Sequence, residues 1–192
     1  MSFTASLDDL VATNANGLLS AHPSWVRVRL GDVCEVQNGF PYPSTGFGKS
    51  SGFPLLRIRD IRSSQPETFF DGPVDEDFIV RHGDLVVGMD GDFNCARWQG
   101  PPALLNQRVC RLSPRAGAFS PEFLYYVLQG YLNAVNAHTS AITVKHLSSR
   151  TVEDLPLPLP PLPEQERIAG ELDDYVSRLD AALAALTRAH RN

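Results

Sequence analysis

The chain changes its pattern of apolar and polar positions several times. Between residues 4 and 21, Leu7, Leu10, Val11, Leu18 and Leu19 fall at loosely helical spacing, broken by Asn-Ala-Asn-Gly. A short helix or docking arm is expected over residues 1–23. From Trp25 the period shortens. WVRVRL alternates, FPLLRIRDI is strand-like, DLVVGM is an apolar run and LLNQRVCRL alternates again, so these four segments are predicted to be strands of one mixed sheet. The clusters NGFPYPSTGFGKSSG and MDGDFN are rich in Gly, Pro, Ser and Asp and read as turns. A helix is predicted from Ser120, because Ser caps well, Pro121 suits the first helical position, and Phe123, Leu124, Val127, Leu128, Tyr131, Leu132 and Val135 share a face. It should end near Asn136 or His138. A strand-like ITVKHL follows, and then LPLPLPPLPEQ. Prolines at 156, 158, 160, 161 and 163 bar a helix interior and a central strand, leaving an extended connector over 156–163.

The most regular element comes last, a helix predicted over 163–190. Pro163 opens it, and Glu164 and Glu166 suit the positive end of its dipole. Ile168, Leu172, Tyr175, Leu179, Ala182, Leu186 and Ala189 recur at alternating spacings of four and three, the seam of a coiled coil, and Val176 and Leu183 widen the stripe. The face either packs on the chain's own sheet or receives another helix. At ~42 Å the helix exceeds the reach of a domain of this size, and Ala182 and Ala189 let a neighbour approach closely. A second chain or subunit is the favoured partner.

Composition bounds the function. The 192 residues are 43% apolar and 20% charged, enough for one domain-sized core. No apolar stretch approaches the ~20 residues of a membrane span, and Met1 is not followed by the pattern of a signal peptide, so neither a membrane nor a secreted protein is expected. Cys34, Cys95 and Cys110 form no CxxC pair, which argues against a zinc ribbon or disulfide framework and for a reducing, cytoplasmic setting. The net charge of -5 is uneven: residues 24–150 sum to +1 and residues 151–192 to -4. The middle is therefore compatible with a polyanion.

Catalytic signatures are imitated but incomplete. GFGKSSG resembles the end of a phosphate loop, yet Pro43 stands where that motif needs glycine. VDEDF and the pair Asp90 and Asp92 supply carboxylates of the kind that hold nuclease metals, without the lysine expected beside them. His22, His82, His138, His146 and His190 show no metal-ligand spacing. The chain is read as non-catalytic, binding no metal or cofactor of its own.

Four segments, in order, resemble the specificity subunit of type I restriction-modification systems. SWVRVRLGDVCEVQNG resembles the start of a target recognition domain, FPLLRIRDI its next strand, and HGDLVVGMDGDFNCARWQGPPALLNQRVCRL its core block. ITVKHLSSRTVEDLPLPLPPLPEQERIAGELD resembles the passage into the family's conserved helix, and is the most specific of the four. The match runs roughly from Ser24 to Arg188. It implies a mixed α/β (α+β) target recognition domain over residues 24–155 followed by a long coiled-coil-type helix. The chain has room for one domain and one helix, so it resembles a half-length subunit. Such halves, by the resemblance, pair with antiparallel helices and place two recognition domains about one turn of DNA apart. Expected partners are double-stranded DNA, a modification methyltransferase subunit carrying S-adenosylmethionine for adenine N6 methylation, and, in systems that restrict, a motor subunit. A rival reading is a degenerate recognition domain that serves only as an interaction module; a small metal-dependent nuclease ranks third.

DNA contacts are expected from exposed turns carrying Arg or Lys for guanine, Asn or Gln for adenine, and Ser or Thr for phosphate. Three groups qualify. Lys49, Ser50 and Ser51 with Arg62, Ser63, Ser64 and Gln65 flank FPLLRIRDI; Asp92, Phe93, Asn94 and Arg97 form the core-block loop; Thr139, Ser140, Lys145 and His146 follow the internal helix. Arg97 is expected to affect sequence preference and Lys49 uniform affinity.

Overall fold

The structure is a computed structural model describing residues 19–138 and 146–191. Residues 1–18 of the arm expected over 1–23, most of ITVKHL, and the candidate contacts Thr139, Ser140 and Lys145 lie outside the described residues. The chain begins with β1 (Val26–Arg29), a single helical turn α1 (Leu30–Val33) and β2 (Cys34–Asn38). Next come β3 (Phe47–Gly48), β4 (Phe53–Leu56), a 3-10 corner (Ile58–Asp60) and β5 (Thr68–Phe70). Then follow β6 (Ile79–Val80), β7 (Leu85–Gly88), β8 (Cys95–Arg97), β9 (Ala103–Leu105) and β10 (Val109–Pro114). Helix α2 (Pro121–His138), the short α3 (Ser149–Glu153), β11 (Pro156–Leu159) and helix α4 (Leu162–Arg191) complete the order.

The described strands form three sheets, which corrects the single mixed sheet expected. Their orders are β1-β11, β2-β10-β7-β8 and β3-β5-β4-β9-β6. The four-stranded sheet is antiparallel throughout, and the five-stranded sheet is mixed because β4 and β9 pair in parallel. Two side chains explain the division. In LLNQRVCRL, Asn106 is buried, its carbonyl accepts from Val109 N–H at 2.9 Å and its side-chain oxygen from Arg108 N–H at 3.4 Å. Such local capture bends the backbone, so the run becomes β9 in one sheet and β10 in another. In FPLLRIRDI, the Asp60 carboxylate accepts from Arg57 N–H at 3.0 Å. The strand therefore ends at Leu56 and turns a corner, and Arg57 and Arg59 do not share a strand face.

The four-stranded sheet is buried on both sides. Leu85 and Val87 of β7 and Cys110 and Leu112 of β10 join Phe123, Leu124, Leu128, Leu132 and Val135 of α2 in the main core. Val86 and Val109 point the other way, into a cluster with Leu56, Ile61, Trp98 and Leu105. Double burial is why DLVVGM reads as a continuous apolar run and does not alternate. Helix α2 starts as the sequence dictates, with Ser120 Oγ accepting from Phe123 N–H at 3.0 Å.

The proline tract is extended and pairs with β1, Arg27 opposite Pro158 and Arg29 opposite Pro156. In an antiparallel pair only alternate residues aim their N–H at the neighbour. Prolines at every second position therefore leave the ladder intact. The exit from β2 is equally constrained: Gly39 N–H donates to Val109 O at 3.0 Å and Phe40 N–H to Leu105 O at 2.9 Å, so the chain passes between two sheets. A Cβ on Gly39 would stand 2.1 Å from Asn106 O and 2.6 Å from Leu105 O. Gly39→Ala should cost about 1–3 kcal/mol by overpacking, seen as a Tm roughly 2–12 °C lower. An unchanged Tm would show that the crossing tolerates a side chain.

Candidate nucleic-acid interface

One polar surface is built by two turns that meet. Asp60, 2% exposed, lies at the root of the first. Besides the Arg57 N–H, it has Arg59 Nε at 3.6 Å, and its carbonyl accepts from Ser64 N–H at 2.8 Å. Burial holds its carboxyl above the usual range. From this corner Arg62, Ser63 and Gln65 project into solvent, with Ser64 half-buried. The second turn joins β7 to β8 and is pinned by Gly88 N–H donating to Asn94 O at 2.8 Å. There Asn94 Oδ1 accepts from Arg62 Nε at 3.0 Å and Arg62 Nη2 at 2.5 Å. Ser64 and Phe93 are the two non-glycine described residues with positive φ, 53° and 51°. Both flank this pair, and Ser64 Oγ accepts from Gln99 N–H at 3.1 Å.

The other candidates are more dispersed. Lys49, Ser50 and Ser51 are exposed in the turn between β3 and β4, on the five-stranded sheet, and Asp92 is exposed in the β7–β8 turn. His146 Nδ1 is 2.7 Å from Asp90 Oδ1, and Arg108 reaches the same carboxylate at 3.1 Å. Leu147 N–H donates to Met89 O at 2.7 Å, so Asp90 and its neighbour Met89 fix the point where the chain returns after residue 145.

Two candidates need correction. Phe93 is fully buried in the main core, because its left-handed backbone turns the ring inward; it offers no surface to a base. Arg97 is no loop side chain. It lies on β8, its Nη2 is 3.0 Å from Asp173 Oδ1 of α4, and its guanidinium sits 5.1 Å over the Tyr125 ring. Its charge and flat face are committed to holding α4.

That contact is one of two that root the long helix. Tyr126 Oη donates to the same Asp173 oxygen at 2.5 Å. The other is Gln165, which has no exposed surface. Its Oε1 accepts from Ser120 N–H at 2.9 Å, and its Nε2 donates to Ala118 O at 3.0 Å and Pro160 O at 2.8 Å. The amide thus ties the start of α4 to the start of α2. Beyond Asp173, every described side chain of α4 is exposed: Tyr175 63%, Leu179 49%, Leu183 61% and Leu186 67%. Of the two packings open to this seam, the one on the chain's own body occurs, among the described residues, only at the root, where Ile168 lies against the main core. Ile168 is half-buried at the root, and Leu172, Val176, Ala182 and Ala189 are exposed along the rest.

Comparison with known proteins decides the family. Residues 23–187 match the model of the type I restriction modification DNA specificity domain. The chain belongs to this family. It is 46% identical over 187 residues to the EcoBI type I restriction enzyme specificity subunit of Escherichia coli, covering 97% of this chain and 40% of that protein. The MjaVIII specificity subunit of Methanocaldococcus jannaschii is 24% identical over 152 residues, covering 79% and 36%. The crystal structure of the HsdS subunit from Thermoanaerobacter tengcongensis superposes with a TM-score of 0.65 at 22% identity, over 93% of this chain and 44% of that one. The specificity-domain fold, a mixed α+β body with a long C-terminal helix, is therefore shared. The chain spans about two-fifths of the length of the curated relatives it matches.

Sequence reading of this specificity domain missed Gln165, Asp173 and Tyr126, and singled out Asp90 only as a carboxylate of an acidic turn, not as the partner of Arg108 and His146. Gln165 carried a signal, since four prolines before the helix and Pro163 in its first turn supply no N–H, which leaves carbonyls for a side-chain donor to satisfy. Asp173 carried none, because its partners come from β8 and α2.

Gln165→Ala strands one buried N–H and two carbonyls. It should cost about 1–3 kcal/mol and lower the Tm by roughly 2–12 °C; calorimetry showing no change would remove the amide as the helix anchor. Tyr126 supplies a pH test. Burial, and then Asp173, push its phenol from 10.0 up to about 12. The folded state then keeps this proton after the unfolded state has lost it, so the contribution is complete below pH 10 and is lost as the pH rises toward 12. The urea midpoint should fall less steeply over that range in Tyr126→Phe than in the parent, and equal slopes would contradict the assignment.

Proposed function

We propose that this chain is a non-catalytic DNA-reading subunit of a type I restriction-modification system. In this reading the body over residues 24–155 contacts double-stranded DNA, residues 156–163 connect it to the helix, and α4 pairs antiparallel with α4 of a second copy. The membership in a DNA specificity family supports the reading of DNA. The observation that carries the pairing is the exposed seam, from Leu172 at 37% to Leu186 at 67%. A row of large apolar side chains along a ~45 Å helix is stable in water only when another apolar face covers it.

An antiparallel pair places the two bodies at opposite ends of the helices, a separation suited to half-sites one turn of B-DNA apart, about 34–36 Å. Twofold symmetry then makes the site an inverted repeat with an unread spacer. The chain directs a partner adenine N6 methyltransferase subunit, which holds S-adenosylmethionine, and a motor subunit joins in systems that restrict. Phosphate contacts dominate affinity for DNA, and a body whose residues 24–155 carry a net charge of -1 leaves a large share of them to those partners. No described helix is long and apolar enough to cross a membrane, in keeping with the cytoplasmic setting that DNA access requires.

The test is to co-express the chain with its methyltransferase subunit and map N6-methyladenine across the genome, with the chain omitted as control. An inverted-repeat motif with a fixed spacer, present only with the chain, is the expected result. An asymmetric motif would overturn the symmetric pairing, and a stable complex without new methylation would favour an interaction module. Leu179→Asp with Leu183→Asp should halve the sedimenting mass of the purified chain while leaving the Tm of the body within a few degrees. An unchanged mass would refute pairing through α4.

A further inference from the structure

A guanidinium carries five N–H donors in a fixed planar arrangement. In Arg62 the side edge, Nε and Nη2, is already spent on Asn94 Oδ1. The end edge, one N–H on Nη1 and the second on Nη2, is engaged by no described residue, and Arg62 is exposed. Two parallel donors on an exposed guanidinium are the shape that matches N7 and O6 of guanine in the major groove. Asn94 is excluded from the complementary role. A bidentate contact with adenine requires the amide to accept and donate together, and its acceptor is occupied twice over.

The surroundings hold this pair in place. Arg62 leaves a corner anchored on the buried Asp60, and Asn94 leaves a turn anchored by Gly88 and by the inward ring of Phe93. The left-handed backbone at Ser64 and Phe93 is confined to these two turns, and such conformations persist where the surroundings over-determine them. An arginine otherwise loses much rotamer freedom on contacting a base, whereas one already held by a second side chain loses less.

We propose that Arg62 reads one guanine in the half-site, with Asn94 as the positioning residue that presents its end edge. The proposal rests on the DNA-reading function above and assigns one of its base contacts. It predicts that Arg62→Ala abolishes preference at a single G·C position of each half-site, reducing discrimination there by about 5- to 150-fold. That range is the 1–3 kcal/mol of a good bidentate contact, converted at 1.4 kcal/mol per tenfold. Asn94→Ala should weaken the same position by less, and the double variant should match Arg62→Ala alone.

The experiment is selection from a randomised double-stranded DNA library by the complex of this chain with its methyltransferase subunit, sequenced for the parent, Arg62→Ala, Arg62→Lys, Asn94→Ala and the double variant. Lysine keeps the charge and loses the parallel donors, so Arg62→Lys should also relax that position while retaining overall affinity; it keeps the test open if the alanine variant does not fold. Loss of affinity at all sequences alike, with the motif intact, would make Arg62 a phosphate contact and overturn the proposal. Relaxation of different positions by Arg62→Ala and Asn94→Ala, or of an A·T position, would overturn it equally. A parent complex with no sequence preference would instead refute the underlying function, an outcome the variants cannot produce.

Discussion

The fold depends on a four-stranded sheet whose two central strands are buried on both faces. Strands β7 and β10 alternate their side chains between α2 on one side and the five-stranded sheet on the other, and both sets are buried. A sheet so enclosed cannot shift register by one residue without exchanging its two cores. The turns that leave its edges therefore start from fixed points. The β7–β8 turn presenting Asn94 and the Leu56–Asp60 corner presenting Arg62 grow from opposite layers of this sandwich. Their meeting is a consequence of how the layers stack.

The same enclosure fixes the chemistry that the molecule lacks. Cys34 and Cys110 lie in the main core, where burial pushes their thiols up to about 12, and burial raises Cys95 as well. At neutral pH these groups stay protonated and pack as small apolar side chains. The polar residues with most structural consequence are neutral or paired: Gln165 and Asn106 within the interior, Asp60 against the Arg57 N–H and the Arg59 guanidinium, Asp173 between Arg97 and Tyr126. Each holds one segment relative to another. The body is thus tied to the first three turns of α4, whereas the described side chains beyond Asp173 are exposed.

Legibility followed the range of the interactions. Helices α2 and α4 announce themselves because caps, prolines and a 3.6-residue or heptad period are local properties of the chain. Strand segments were visible as β7 and β10, since their apolar runs reflect burial. The number of sheets was not visible, because it turns on how Asn106 and Asp60 capture nearby backbone, and an Asn or Asp in an alternating run has the same letters whether it faces water or its own N–H. Arg62 and Asn94 were recognisable as surface types, but their pairing spans 32 residues and has no periodic trace. Arg97 was misread for a related reason: a basic residue near a glycine turn has the composition of a DNA contact, and only the 76-residue approach of Asp173 shows that its charge is already used.

Those two arginines also show two ways of holding a guanidinium in one molecule. Arg62 lies at the tip of turns and is held by a neutral amide, which leaves its charge and its end edge available. Arg97 is held by a carboxylate and an aromatic face, which pair its charge and cover its plane. A neutral partner orients a guanidinium without neutralising it, and a charged partner does both. The first arrangement suits recognition of an electron-rich base edge; the second suits a strut between a body and its helix. If the helix sets the distance between two bodies and Arg62 reads a base as proposed, then Arg97, Tyr126, Asp173 and Gln165 would govern where each half-site falls, and Arg62 with Asn94 would govern what one position of it contains. Sequence choice and spacing would then be separable by mutation, because the two groups of residues share no side chain.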